Sequence, residues 1–219
     1  MLFTAPAFGP NRTLLLVTGK LRVGSDGNDN TLLVTNGAGV TVASDVFVGG
    51  TSSGGTAGGN AITVTGSGST FTIVSGTADL VIGYGTGTNQ VTVADGGTLA
   101  VSSIRMGPNG TLALSAAANN IASSTDVAVY GVLDVTGFTG GFTLASGQTL
   151  RGLGSVVGGV TTGTGSIVQP QGQGTLSFGS GLALGGNTLA LVAVPEPGTV
   201  ALAGAGCLLA AALIRRHRG

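Results

Sequence analysis

Apolar residues along this chain come in short sets, two positions apart. The clearest run in threes: Leu32/Val34, Val40/Val42 and Val46/Val48; then Ile62/Val64, Phe71/Ile73 and Leu80/Ile82; then Val91/Val93, Leu99/Val101 and Ile104/Met106. A spacing of two is that of a strand with one buried face. Gly, Asn, Asp and Ser cluster between the sets, where tight turns need positive φ angles and local hydrogen bonds.

Two markers recur within this pattern. The first is apolar, any residue, apolar, Gly: Leu21-Arg22-Val23-Gly24, Val46-Phe47-Val48-Gly49, Leu80-Val81-Ile82-Gly83 and Ile104-Arg105-Met106-Gly107. The second is an Asn just ahead of the next strand: Asn30, Asn60, Asn89 and Asn109. Successive sets start 30, 29 and 21 residues apart, so the corner loops vary while the strands do not. Three short strands per repeat, all facing one way, predict a right-handed parallel β-helix over residues 1–192. One rung buries little, and stacking the next about 4.8 Å away pairs its backbone and closes the apolar column. Asn residues at one corner can then form a ladder up the stack, although turn propensity alone also accounts for them. An antiparallel sandwich or barrel is the competing architecture.

Composition narrows the choice. Of 219 residues 43 are Gly and 7% are charged, against typical shares of about 7% and about 25%. There is no Gly-X-Y period for collagen, and the Val, Ile and Thr content is wrong for disorder. The body carries Arg12, Lys20, Arg22, Arg105 and Arg151, too few cations to neutralise a run of phosphates, which excludes nucleic-acid binding. The one Cys, Cys207, the one His, His217, and the one Glu, Glu196, all lie near the C-terminus. No internal disulfide can form.

The last residues, 193–219, form a separate tail. Pro195 and Pro197 hold an extended segment around Glu196. An uncharged run, Thr199–Ile214, follows, rich in the helix formers Ala and Leu. Arg215, Arg216, His217 and Arg218 close it. As a helix the run spans about 24 Å, short of a bilayer core of about 30 Å, a gap that snorkelling arginines and local thinning cover. The expectation is a single transmembrane helix over 199–214, with Arg215, Arg216 and Arg218 in the cytoplasm and the body outside. A secretory signal needs 7–15 apolar residues near the start, and the longest early run is Leu14-Leu15-Leu16-Val17. The natural chain is therefore expected to begin upstream.

In these three elements the tail resembles the PEP-CTERM sorting signal of Gram-negative bacteria. The resemblance implies recognition at Pro195, Glu196 and Pro197 by an exosortase, a membrane-embedded protease-transpeptidase, transient membrane anchoring, and delivery to the surface or exterior. It also implies an association with exopolysaccharide and biofilms. The stretch Asn60–Ser102, with Phe71 where the family usually carries Trp, resembles the repeat shared by autotransporter passengers and PEP-CTERM proteins. Leu150–Val160, with Pro170 and Gly174-Thr175-Leu176, resembles the last coils of autotransporter passengers.

Catalytic chemistry finds little to work with. The body has no His to activate a Ser. The carboxylates Asp26, Asp29, Asp45, Asp79, Asp95, Asp126 and Asp134 sit mostly in turn-forming contexts. Arg22 and Arg105 share a position within the first marker and read as an outward, solvated pair. Asp26, Asn28 and Asp29 form a weak calcium candidate in a Gly-rich loop; such sites are built from tandem copies, and this one occurs once. No cofactor is expected. The reading is an exported, non-catalytic structural protein of the surface or matrix. A glycan- or cell-binding adhesin is the alternative, and a β-helix polysaccharide lyase or hydrolase the second.

Overall fold

The computed structural model describes residues 2–4, 13–50, 55–115, 121, 125–171 and 174–185. All the strands fall within one compact unit, Met1–Asn187, and the described residues contain strands and turns but no helix.

The chain runs in repeated circuits. The first holds β1 (Leu2–Thr4), β2 (Leu14–Val17) and β3 (Leu21–Val23). The second holds β4 (Thr31–Thr35), β5 (Gly39–Val42) and β6 (Val46–Val48). The third holds β7 (Ala61–Thr65), β8 (Thr70–Ile73) and β9 (Asp79–Ile82), and the fourth β10 (Asn89–Ala94), β11 (Thr98–Ala100) and β12 (Ser103–Met106). The fifth contributes β13 (Gly110–Leu114) and β14 (Asp126–Val129), with Ile121 bridging to Leu99 between them. Then come β15 (Val132–Asp134), β16 (Phe142–Leu144) and β17 (Thr149–Gly152), followed by β18 (Ser155–Val157), β19 (Val160–Thr162) and β20 (Ile167–Pro170). A partial circuit, β21 (Ser177–Phe178) and β22 (Leu182–Leu184), ends the described part.

Each circuit lies on the one before. Sheet I is the eight-stranded β1-β4-β7-β10-β13-β15-β18-β21. Sheet II is β11-β8-β5-β2, and sheet III is β20-β17-β14-β12-β9-β6-β3. Sheet IV is β16-β19-β22. Every strand pairing is parallel, which rules out the antiparallel sandwich.

Register explains the apolar spacing. Leu32 pairs with Ile62, Ile62 with Val91 and Val91 with Leu112 along sheet I. Val40, Phe71 and Leu99 align on sheet II, and Val46, Leu80 and Ile104 on sheet III. All are buried and belong to one apolar cluster that runs through the stack. Such a column forms because like residues of successive circuits sit one strand spacing apart, and each covers its neighbour from water.

The Asn ladder forms over three circuits. Asn30 donates from its backbone N–H and its Nδ2 to Oδ1 of Asn60, each at 3.0 Å. Asn60 does the same to Oδ1 of Asn89, at 3.1 and 3.0 Å. Asn109 does not continue it: register places Gly110 opposite Asn89, and the Asn109 amide instead donates to the Gly85 carbonyl at 2.7 Å. Asn109 stands three residues before the first inward apolar residue of its strand, Leu112, where the other three stand two before theirs, which moves its side chain off the rung.

Candidate functional site

Charge is gathered on one side of the stack. Among the described residues every Lys and Arg stands on sheet III or at its entry: Lys20, Arg22, Arg105 and Arg151. Arg22 and Arg105 do share a column, as their place in the repeat predicts, and Arg151 joins it. The register runs Arg22, Phe47, Val81, Arg105, Ala128, Arg151, Gln169. Strand alternation turns these middle residues outward, away from the apolar cluster.

Arg22 is exposed, as expected of a solvated side chain, whereas Arg105 is part-buried and paired. Arg105 Nη1 lies 3.2 Å from Asp79 Oδ2. Arg151 engages Asp126 with Nε at 2.9 Å to both carboxylate oxygens and with Nη2 at 2.8 Å to Oδ2. Its Nη1 donates to Gln171 Oε1 at 3.1 Å, and the Tyr130 hydroxyl donates to the same oxygen at 2.7 Å. Lys20 Nζ meets Asp45 Oδ2 at 2.9 Å, and Asp45 Oδ1 accepts from the Asp79 backbone N–H at 3.2 Å. Among the described cations Arg22 alone has no carboxylate beside it; its guanidinium lies 5.5 Å from the centre of the Phe47 ring, and Lys20 Nζ lies 5.6 Å from it.

These contacts account for an oddity of the face. Phe47, Val81 and Ala128 point outward, yet they are 6%, 3% and 1% exposed. Lys20 and Arg22 roof the Phe47 ring. Arg105 stands in register between Val81 and Ala128, and Arg151 beyond Ala128. Arginine stems cover apolar surface while their heads stay in water. The hydrogen bond from Lys20 is the largest influence on Asp45, and it outweighs burial to hold the carboxyl below its ordinary range. The bonds that Arg105 donates to Asp79 and Arg151 donates to Asp126 raise the pKa values of the two guanidinium groups. The face is a set of cross-circuit clasps.

Three of the seven candidate carboxylates thus meet on one sheet, each beside a cation. The others lie apart. Asp95 accepts from Thr65 Oγ1 at 3.0 Å, and Asp134 accepts from the backbone and hydroxyl of Thr136 at 2.9 and 2.7 Å. Asn28 Oδ1 is occupied by the Gly58 N–H at 2.8 Å, and Asp29 has a positive φ of 58°. With Thr56 and Thr86 these two line an open depression of about 370 Å³, which Asp26 does not line. No group of three His, Cys, Asp or Glu among the described residues is arranged to hold a metal ion.

Pro195, Glu196, Pro197, the run 199–214, and Arg215, Arg216 and Arg218 lie outside the described residues. No helix among the described residues is long and apolar enough to cross a membrane. Comparison with protein families matches residues 193–218 to the PEP-CTERM protein-sorting motif. No curated protein and no solved structure matches the chain significantly. The motif implies an exported chain, sorted by an exosortase to the cell envelope of a Gram-negative bacterium.

Proposed function

We propose that the body is a right-handed parallel β-solenoid serving as a rigid, non-catalytic structural rod at the bacterial surface or in its extracellular matrix. The observation that carries this is the unbroken apolar column, closed by parallel strands on every side, in a chain that ends in a sorting motif. Right-handedness follows from the general preference of parallel crossover connections. A stack of this kind hides its backbone in ladders and is stiff along its axis, as a load-bearing or spacing element requires.

In this reading the exosortase acts at Pro195-Glu196-Pro197. The run 199–214 holds the chain in the inner membrane until then, with Arg215, Arg216 and Arg218 on the cytoplasmic side. The released body meets exopolysaccharide through its outward Thr and Ser side chains. The autotransporter-like repeats would supply the rungs. Replacing Pro195, Glu196 and Pro197 by Ala in the full chain tests the sorting. An unprocessed form retained in the inner membrane is expected, and unchanged processing and release overturns it.

Sheet III gives the adhesin reading its own support, because it gathers cations, carboxylates and Tyr130 on one face. A glycan array probed with the body decides between the two: selective binding lost in Arg151→Ala favours the adhesin, and none favours the rod. The same face argues against a lyase or hydrolase. A general acid needs a carboxyl with a raised pKa, whereas Asp45 is held low by its bond from Lys20.

A further inference from the structure

Among the described residues sheet III ends on β3, and the arginine there lacks what the other two have. Arg105 reaches Asp79 and Arg151 reaches Asp126 by one rule. In each pair the carboxylate opens the strand of the preceding circuit. It stands opposite the residue two before the arginine: Asp79 opposite Ser103, and Asp126 opposite Thr149. For Arg22 the same rule calls for a carboxylate opposite Lys20, on a strand against the outer edge of β3. No described strand lies there.

The backbone is open at the same residue. The Leu21 N–H donates to the Asp45 carbonyl, and the Val23 carbonyl accepts from the Gly49 N–H, both toward β6. Successive residues of a strand bond to opposite sides, so Arg22 turns its N–H and C=O to the open edge. The apolar column is open there too. Leu21 is only part-buried, whereas Val46, Leu80 and Ile104, which follow it in the column, are 0% exposed.

We propose that the outer edge of β3 binds an extended acidic segment of a partner protein, of the pattern acidic-apolar-any-apolar, as an added parallel strand. Its carboxylate falls one strand spacing from Lys20, about 4.8 Å, and in the diagonal place where Arg22 bonds it. Its two apolar residues cover Leu21 and Val23, and its backbone pairs with that of Arg22. Three strands of this chain carry the same pattern inside the stack: Asp45–Val48, Asp79–Ile82 and Asp126–Val129.

Charge selects both the edge and the occupant. Lys20 and Arg22 stand together over Phe47 with one carboxylate, Asp45, between them. The strands at the same end of sheets I and II, β1 and β2, carry no charged residue. A second copy stacked end to end would offer β20 instead. There Ile167 holds the acidic position, opposite Thr149. Ile167 and Gln171 donate toward β17, which leaves Pro170, without an N–H, on the open side.

Such docking serves a rod and an adhesin alike and uses no part of the sorting tail. The test is fluorescence anisotropy of a labelled peptide copying residues 75–84, which holds Asp79–Ile82, titrated with the full chain in detergent. Saturable binding is expected, and it should be at least about tenfold weaker for the peptide carrying Asp79→Lys, which sets like charges together. Arg22→Glu in the chain should erase that preference, and Gln169→Glu, at the far end of sheet III, should keep it. Absence of binding, equal binding of the two peptides, or a preference that survives Arg22→Glu overturns the proposal. If Arg22→Glu fails to fold, Arg22→Gln decides, and the two affinities should then draw together; an undiminished gap overturns the proposal. Sedimentation velocity of the same samples reads the rival occupant. An end-to-end oligomer of the chain that the peptide does not disperse also overturns it.

Discussion

Gly49 and Asn89 share one space: the position that a Cβ on Gly49 would take is filled by the side-chain amide of Asn89. Gly49 also has a φ of +71°, where L side chains are strained. The same relation joins Gly24, also at +71°, to Asn60. The two recurrent markers in the sequence are thus two halves of one corner. The glycine that ends a strand of sheet III vacates the room in which a ladder asparagine turns.

Gly49→Ala should therefore destabilise the body by roughly 1–3 kcal/mol, from backbone strain and overpacking together. Gly76→Ala is the control, with open space around the missing Cβ and no positive φ. It should be neutral or slightly stabilising. Thermal unfolding of the two variants checks this, and equal losses would refute the shared-corner account.

Asn60 sits in the middle of the ladder, buried, accepting from Asn30 and donating to Asn89 and to the Gly58 carbonyl. Asn60→Asp keeps the acceptor but, when ionised, loses the donor and places a carboxylate against Asn89 Oδ1. The loss should be about 1–3 kcal/mol or more at neutral pH. Burial raises the new carboxyl's pKa in the folded state, so the folded form binds the extra proton. The variant should then recover stability as pH falls and lose it as pH rises through the unfolded pKa. Urea unfolding at pH 4 and pH 7 reads the difference; a gap that does not shrink at low pH contradicts the ladder.

Asp45 behaves with the opposite sign. Its folded pKa is lowered, first by the hydrogen bond from Lys20. Its contribution is present above the unfolded value of about 3.9 and vanishes as pH falls through the lower folded value. The pair is part-exposed, so Asp45→Asn should cost less than about 1 kcal/mol at pH 7. Below the folded value it should cost close to nothing. Melting temperatures of the variant and wild type across that range should converge at the acid end, and a constant offset would show that the clasp is not electrostatic.

Strand content was legible because its signal is local. Phe71 and Ile73, or Val91 and Val93, declare a buried face by their spacing alone, and each lies where that spacing requires. The ladder was legible through Asn30, Asn60 and Asn89, and the one-residue displacement of Asn109 was already present in its distance from Leu112. Beyond Leu114 the pattern thins: β15, β16, β18 and β19 are three residues each, too short for alternation to stand out. The clasps were less visible. Asp79 reaches Arg105 across 26 residues and Asp126 reaches Arg151 across 25. Arg151 belongs to the column although Gly152 replaces the apolar residue that follows Arg105.

By itself the sequence determined the period-two strands, the glycine and asparagine corners, and the sorting motif, because each depends on residues close together in the chain. Tertiary structure alone decided which circuits align. Loops of unequal length hide the register from linear spacing, and only parallel pairing of whole circuits brings Lys20, Asp45, Asp79 and Arg105 onto one face while leaving sheet I almost without charge.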